Sequence, residues 1–179
     1  MPRLSDQSDN PVLAPWGGPR GGVPPFDQIK TDQFIPALAA AMDEKRAEVA
    51  EIAANPAPPA FENTLAALEA SGPALTRATR LLGVYAATMN DAQMREVETW
   101  SSPKLAALRD EITQNSALFA RIKAVYEARE TSGLSAEQQR LAFVVYDRFV
   151  RQGAALSASD KGALAEINQK LAALYTRFG

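Results

Sequence analysis

From Thr31 onward, apolar residues return every three or four positions, and each such run is closed by glycine, proline or a short polar pair. That rhythm confines the chain to helices. Thr31 or Asp32 is placed to cap a first helix in which Phe34, Leu38, Met42, Val49 and Ile52 fall mostly on one face, with Pro36 as its first regular residue. Asn55-Pro56-Ala57-Pro58-Pro59 ends it, because each proline bars its predecessor from the helical region. A second helix runs from Phe61 to Ser71 and stops at Gly72-Pro73. A third carries Leu75, Ala78, Leu82, Tyr85 and Met89, and Asn90-Asp91 closes it while capping a fourth with Met94, Val97 and Trp100. Ser102-Pro103 reads as an N-cap followed by a proline at the first helical position, which splits off a fifth helix carrying Leu105, Leu108 and Ile112.

Asn115 or Ser116 opens a sixth helix, with Leu118, Ile122, Val125 and Tyr126 inward and Gly133 as its stop. Ser135-Ala136-Glu137-Gln138 is a capping box for a seventh, where Leu141, Val145 and Phe149 recur up to Gly153. Ser157-Ala158-Ser159-Asp160 caps an eighth, striped by Leu164, Ile167, Leu171, Leu174 and Phe178. No stretch alternates with period two for long enough to argue a strand. The expected fold is all-α, an irregular multi-helix bundle of about eight helices without the fixed period of a tetratricopeptide or ankyrin array. Residues 1–30 differ: they hold six of the twelve prolines and four of the ten glycines, so they read as a Pro/Gly-rich extended or disordered arm before a helical domain over 31–179. Val12, Leu13, Trp16, Val23 and Phe26 are spaced to pin such an arm onto a neighbouring surface.

The chain contains no histidine and no cysteine. Zinc and the soft transition metals want imidazole or thiolate, so no metal-ligating residues are expected here. The same absences remove the Ser/His/Asp and Cys/His nucleophile arrangements, the disulfide staple and the commonest proton shuttle. With 19 Lys+Arg against 21 Asp+Glu, there is no basic excess to neutralise a phosphate backbone, and nucleic acid is not an expected partner. No run approaches the roughly 20 apolar residues that cross a bilayer, and Met1 to Asp6 lacks the apolar stretch of a signal peptide. A cytoplasmic protein with no membrane partner is expected.

The remaining chemistry-bearing residues favour structural roles. Glu44, Glu48, Glu51, Glu62 and Glu69 lie at positions typical of a solvated helix face. Tyr85, Trp100, Phe119, Tyr126, Phe143, Tyr146 and Phe149 stand at core spacing. Gly17-Gly18 and Gly21-Gly22 lack the strand and helix that a phosphate loop requires. Arg77, Arg80, Arg121, Lys123 and Arg129 have acidic neighbours and read as salt-bridge partners. No catalytic or cofactor-binding residue is assigned.

Seven strings taken together carry a family likeness: Asn10-Pro11-Val12-Leu13; Pro24-Pro25-Phe26-Asp27-Gln28-Ile29-Lys30; Phe34-Ile35-Pro36-Ala37; Phe61-Glu62-Asn63-Thr64-Leu65 with Leu68-Glu69-Ala70-Ser71-Gly72; Pro103-Lys104-Leu105; Leu118-Phe119-Ala120-Arg121-Ile122-Lys123; and Gly153-Ala154-Ala155-Leu156-Ser157 with Asp160-Lys161. In this order and spacing the chain resembles the N-terminal region of the zinc metallopeptidases of the thimet oligopeptidase family, within the bacterial peptidyl-dipeptidase and oligopeptidase A branch. Leu108 departs from the pattern, standing where many relatives have His. The resemblance implies that the H-E-x-x-H zinc helix lies several hundred residues beyond Gly179. It also implies that these residues form a non-catalytic helical wall of a channel admitting short peptides, with the C-terminal catalytic domain of the same polypeptide as partner. The apolar stripe of the last helix still runs at Thr176-Arg177-Phe178-Gly179, which reads as a fragment and places an exposed apolar patch on the last two helices. The alternative is a free-standing helical adaptor, and a stop codon after residue 179 would favour it.

Overall fold

A computed structural model describes residues 10–19, 22–89 and 91–178. Among them lie seven α-helices: α1 (Phe34–Ala54), α2 (Ala67–Ala70), α3 (Pro73–Thr88), α4 (Ala92–Thr113), α5 (Ser116–Ala128), α6 (Ala136–Arg151) and α7 (Ala158–Phe178). A 3₁₀ turn, Thr31–Gln33, precedes α1, and a π-helical turn, Phe61–Ala66, runs into α2. The described residues contain no strand, only an isolated antiparallel bridge between Gly17 and Val23.

Contacts divide the chain into two compact units. The first comprises Met1–Lys45, Gly72–Leu105 and Ala172–Gly179. Its described N-terminal residues form successive turns rather than an extended arm. Asn10 starts them, its Oδ1 accepting the Val12 N–H at 3.0 Å and its Nδ2 donating to the Gln33 carbonyl at 3.0 Å. Val12 is fully buried, and the Arg77 guanidinium donates to the Leu13 carbonyl at 2.9 and 3.3 Å. Of the other pinning residues expected, Val23 is 64% exposed, while Phe26, 46% exposed, stacks on Tyr85 at 6.4 Å. Buried Ile29 adds to the anchoring, as do the Phe26 and Ile29 carbonyls that Tyr85 caps. Gly22 is required at its position, because its φ is +82° and a Cβ there would lie 2.4 Å from the Trp16 carbonyl oxygen.

The second unit comprises Arg46–Ser71 and Ala106–Leu171. Its core collects Val49, Ile52, Leu65, Leu68, Leu118, Ile122, Val125, Val145 and Phe149 from α1, the π turn, α2, α5 and α6. α5 and α6 form an antiparallel hairpin. Phe119 stacks on Tyr146 and Phe149 at 5.8 and 6.5 Å, and Tyr126 stacks on Tyr146 at 4.2 Å. Both helices start as their caps dictate. Asn115 Oδ1 accepts the Leu118 N–H at 2.9 Å, and Ser135 with Gln138 closes the capping box. α7 opens at Ser157, whose hydroxyl accepts the Asp160 N–H at 3.2 Å. Leu164 then fits against Gly153, where a Cβ would meet its Cδ2 at 2.6 Å.

Three boundaries depart from the sequence reading. α1 starts at Phe34, so Pro36 is its third residue, still within the first turn where the missing N–H costs nothing. The helix expected over Phe61–Ser71 opens as a π turn, because the Asn63 side chain takes the Ala60 N–H at 2.9 Å and donates to the Pro58 carbonyl at 2.9 Å, fixing a wider first turn. Pro103 does not separate two helices but lies inside α4, which reduces the eight expected helices to seven. Proline inside a helix costs about 3 kcal/mol. Burial of Met94 and Val97 before it, and of Ala106 and Leu108 after it, offsets that cost. The Leu108 departure is thus a buried core residue, 2% exposed. Asn90, half of the expected Asn90-Asp91 cap, lies outside the described residues, while Asp91 Oδ1 accepts the Met94 N–H at 2.7 Å and caps α4.

Candidate functional site

The acidic residues do not converge. Glu44, Glu51, Glu62 and Glu69 are exposed, and Glu69 lies 3.9 Å from Arg148. Glu48 and Glu51 share a groove of about 350 Å³ with Asn55, Asn63 and Ser71. The polar groups beside them are spent on the fold: both amide atoms of Asn63 are engaged, and the Ser71 hydroxyl donates to the Leu68 carbonyl at 2.6 Å. Among the described residues, no three His, Cys, Asp or Glu side chains come together to hold a metal ion. Nor is any described helix long and apolar enough to cross a membrane.

Two of the expected salt-bridge cations have other work. Arg77 serves the Leu13 carbonyl, as described above. Arg121 is 7% exposed and points beneath the proline-rich loop. Its Nη1 donates to the carbonyls of Asn55 and Ala57 at 2.7 and 3.1 Å, and its Nη2 to Asn63 Oδ1 at 2.9 Å. A planar guanidinium with several donors suits this clasp, since a buried carbonyl left without a donor costs about 1–3 kcal/mol. Lys123 and Arg129 do pair with Glu127 and Glu130, at 3.7 and 2.7 Å. Of the aromatic residues expected in the core, Tyr85 and Phe149 are buried, Trp100, Phe119, Tyr126 and Tyr146 are half-buried, and Phe143 is exposed. Tyr85 is 9% exposed, its ring 5.1 Å from Phe34, and burial pushes its hydroxyl pKa up from 10.0. Of the glycine pairs, Gly21 lies outside the described residues, and Gly17, Gly18 and Gly22 form the bridged turn.

Sequence reasoning missed one concavity. Ala136, Glu137, Arg140, Leu141 and Val144 line a groove of about 480 Å³ along the first half of α6. Its only trace in the sequence is Val144, an apolar residue outside the α6 stripe of Leu141, Val145 and Phe149. Exposed large apolar side chains lie on the last two helices, as they do at Val23, Phe26, Val84 and Met89. Phe143, Val144 and Val150 on α6 are 36–40% exposed, and Ile167 and Leu171 on α7 are 54% and 44% exposed. Besides Leu164 against Gly153, α7 meets its own unit through polar atoms: Asn168 Nδ2 donates to Asp110 Oδ1 at 2.9 Å, and Lys161 Nζ to the Gln114 carbonyl at 3.3 Å.

Helices throughout, charged groups consumed in clasps and caps, and apolar side chains left outside define an all-α chain whose recognisable features are surfaces. Comparison with known proteins gives that class a lineage. The chain is 41% identical over 172 residues to the dipeptidyl carboxypeptidase of Escherichia coli (strain K12), covering 96% of this chain and 24% of the relative. It is 39% identical over 175 residues to the dipeptidyl carboxypeptidase of Salmonella typhimurium, again over 96% of this chain and 25% of the relative. Oligopeptidase A of Salmonella typhimurium is more distant, at 22% over 169 residues. This chain is therefore homologous to the N-terminal part of bacterial peptidyl-dipeptidases and, further off, of oligopeptidase A, and it spans about a quarter of the length of these curated relatives. No family model matches it.

Proposed function

We propose that this chain is the non-catalytic N-terminal helical region of a cytoplasmic zinc-dependent peptidyl-dipeptidase or oligopeptidase. In this reading residues 1–30 lead into a helical domain over 31–179, which forms a wall of the channel that admits short peptides to a catalytic lobe elsewhere in the same polypeptide. One observation carries it: near-complete alignment of this chain with only a quarter of each relative, at 39–41% identity for the two dipeptidyl carboxypeptidases. The chemistry agrees, because a chain without imidazole or thiolate supplies shape to a zinc centre rather than ligands. The catalytic lobe is the partner assigned to the exposed apolar side chains of α6 and α7.

The decisive assay compares this 179-residue chain with the full product of its gene on one short peptide, with and without a zinc chelator. Cleavage by the longer product alone, abolished by chelation, is the expected outcome. Peptide cleavage or stoichiometric zinc uptake by these 179 residues alone would overturn it, as would a stop codon directly after Gly179.

A further inference from the structure

The four tyrosines of the chain sit in different surroundings. Tyr85 spends its hydroxyl on the Phe26 and Ile29 carbonyls, at 3.4 and 3.5 Å, and the rings beside it are both phenylalanines. Tyr175 on α7 is 75% exposed. Tyr126 on α5 and Tyr146 on α6, by contrast, lie face to face, with ring centres 4.2 Å apart and planes within 4° of parallel. Arg129 Cζ stands 4.1 Å over the Tyr126 ring. Two groups this close occupy opposite faces, so Tyr126 is clamped between the guanidinium and the Tyr146 ring. The guanidinium is itself fixed, donating to the Tyr126 carbonyl at 2.8 Å and to Glu130 at 2.7 Å. Phe119 lies 5.8 Å from Tyr146 and 9° from parallel. Neither phenol hydroxyl has a hydrogen-bond partner among the described residues, and neither is sealed from solvent.

Clamped rings with open hydroxyls suit one covalent reaction. We propose that Tyr126 and Tyr146 form an oxidative modification site, coupling to an intramolecular bityrosine under attack by one-electron oxidants derived from hydrogen peroxide, such as the carbonate radical anion. Each phenol gives one electron to an oxidant equivalent and its hydroxyl proton to water, leaving two neutral phenoxyl radicals. The unpaired electrons pair as a C–C bond between carbons ortho to the two oxygens. The hydrogen on each of these carbons then passes through water to the adjacent oxygen as a proton, which restores both phenols. The product has lost two hydrogen atoms. Phenoxyl radicals couple face to face, so the stack holds the pair near its reacting geometry and replaces a random encounter with a small closing motion. The new bond ties α5 to α6 and, like a disulfide, stabilises the fold by restricting the unfolded chain.

The test illuminates the dilute 179-residue chain with tris(bipyridine)ruthenium and persulfate, which deliver one-electron oxidants of the same class, and reads bityrosine fluorescence, chain mass and cross-linked tryptic peptides. The expected product is a monomer lighter by two hydrogens in which the peptide of residues 124–129 is joined to that of residues 141–148. Tyr146→Phe and Tyr126→Phe each keep the ring, leave far-UV circular dichroism unchanged and abolish this product, whereas Tyr175→Phe leaves its yield intact. Urea that unfolds the chain lowers the yield of this peptide pair by about tenfold or more, because the held geometry is lost. Absence of the joined pair from the oxidised monomer, its survival in Tyr146→Phe, or an equal yield in urea would overturn the assignment.

Discussion

The α5–α6 hairpin and α7 are built from similar sequence but meet their surroundings in opposite ways. On α5, Leu118 and Ile122 are fully buried, and the aromatic side chains of both hairpin helices stack face to face. On α7, Ile167 and Leu171 recur at the same spacing yet stay about half exposed, while Asn168 and Lys161 make inward polar contacts beside Leu164. Periodicity thus reports that a helix has an apolar stripe, not that the stripe is covered. What covers it is a matter of which surfaces are at hand.

The sharpest way to break this comparison is one substitution made at two leucines. Leu118→Ala should lower the unfolding free energy by about 2–5 kcal/mol, the cost of a cavity in a packed core, measured by urea denaturation. If that loss were under about 1 kcal/mol, the packed hairpin would not be the stability core claimed for it. Next in size, Arg121→Met keeps the stem but strips the donors from three acceptors, and a loss of about 2–3 kcal/mol is expected. Amide exchange should quicken most over residues 55–63, and uniform quickening would instead mean that Arg121 supports the whole unit. Asn168→Ala, which leaves Asp110 without its donor, should cost about 1 kcal/mol in the same unfolding assay. Leu171→Ala should cost no more than about 0.5 kcal/mol, since much of its side chain already faces water, and a core-sized loss there would erase the contrast with Leu118.

The smallest effect is electrostatic. Burial raises the Tyr85 pKa above 10.0, so the folded chain keeps its proton where the unfolded chain releases it. Tyr85 therefore costs nothing below about pH 10, and above that pH stability falls until the folded hydroxyl ionises as well. Tyr85→Phe should flatten the alkaline limb of a stability-against-pH curve, and an unchanged limb would remove Tyr85 as its source.

Much of the fold was legible because its signals are local. The Asn115 cap, the Ser135-Gln138 box and the Ser157 cap involve partners three residues apart, so the sequence displays both ends of each bond. Pro103 misled for the complementary reason. A proline beside a serine looks like a helix start, and only burial on both sides of it shows why one helix tolerates the insertion. Arg121 was read as a surface cation because its acceptors, Asn55, Ala57 and Asn63, lie 58 to 66 residues earlier in the chain. The α6 groove was invisible for the same reason, being a shape rather than a string.

By itself, the order of residues determined that this chain is helical, where most of its helices cap and stop, and that it brings neither imidazole nor thiol to any metal. Tertiary structure alone decided which apolar stripes are buried and that Arg121 clasps a loop rather than an acid. The division has a physical cause: capping and turn energies act over three or four residues and are written side by side, whereas burial and long-range hydrogen bonds depend on surfaces that meet only once the chain has folded.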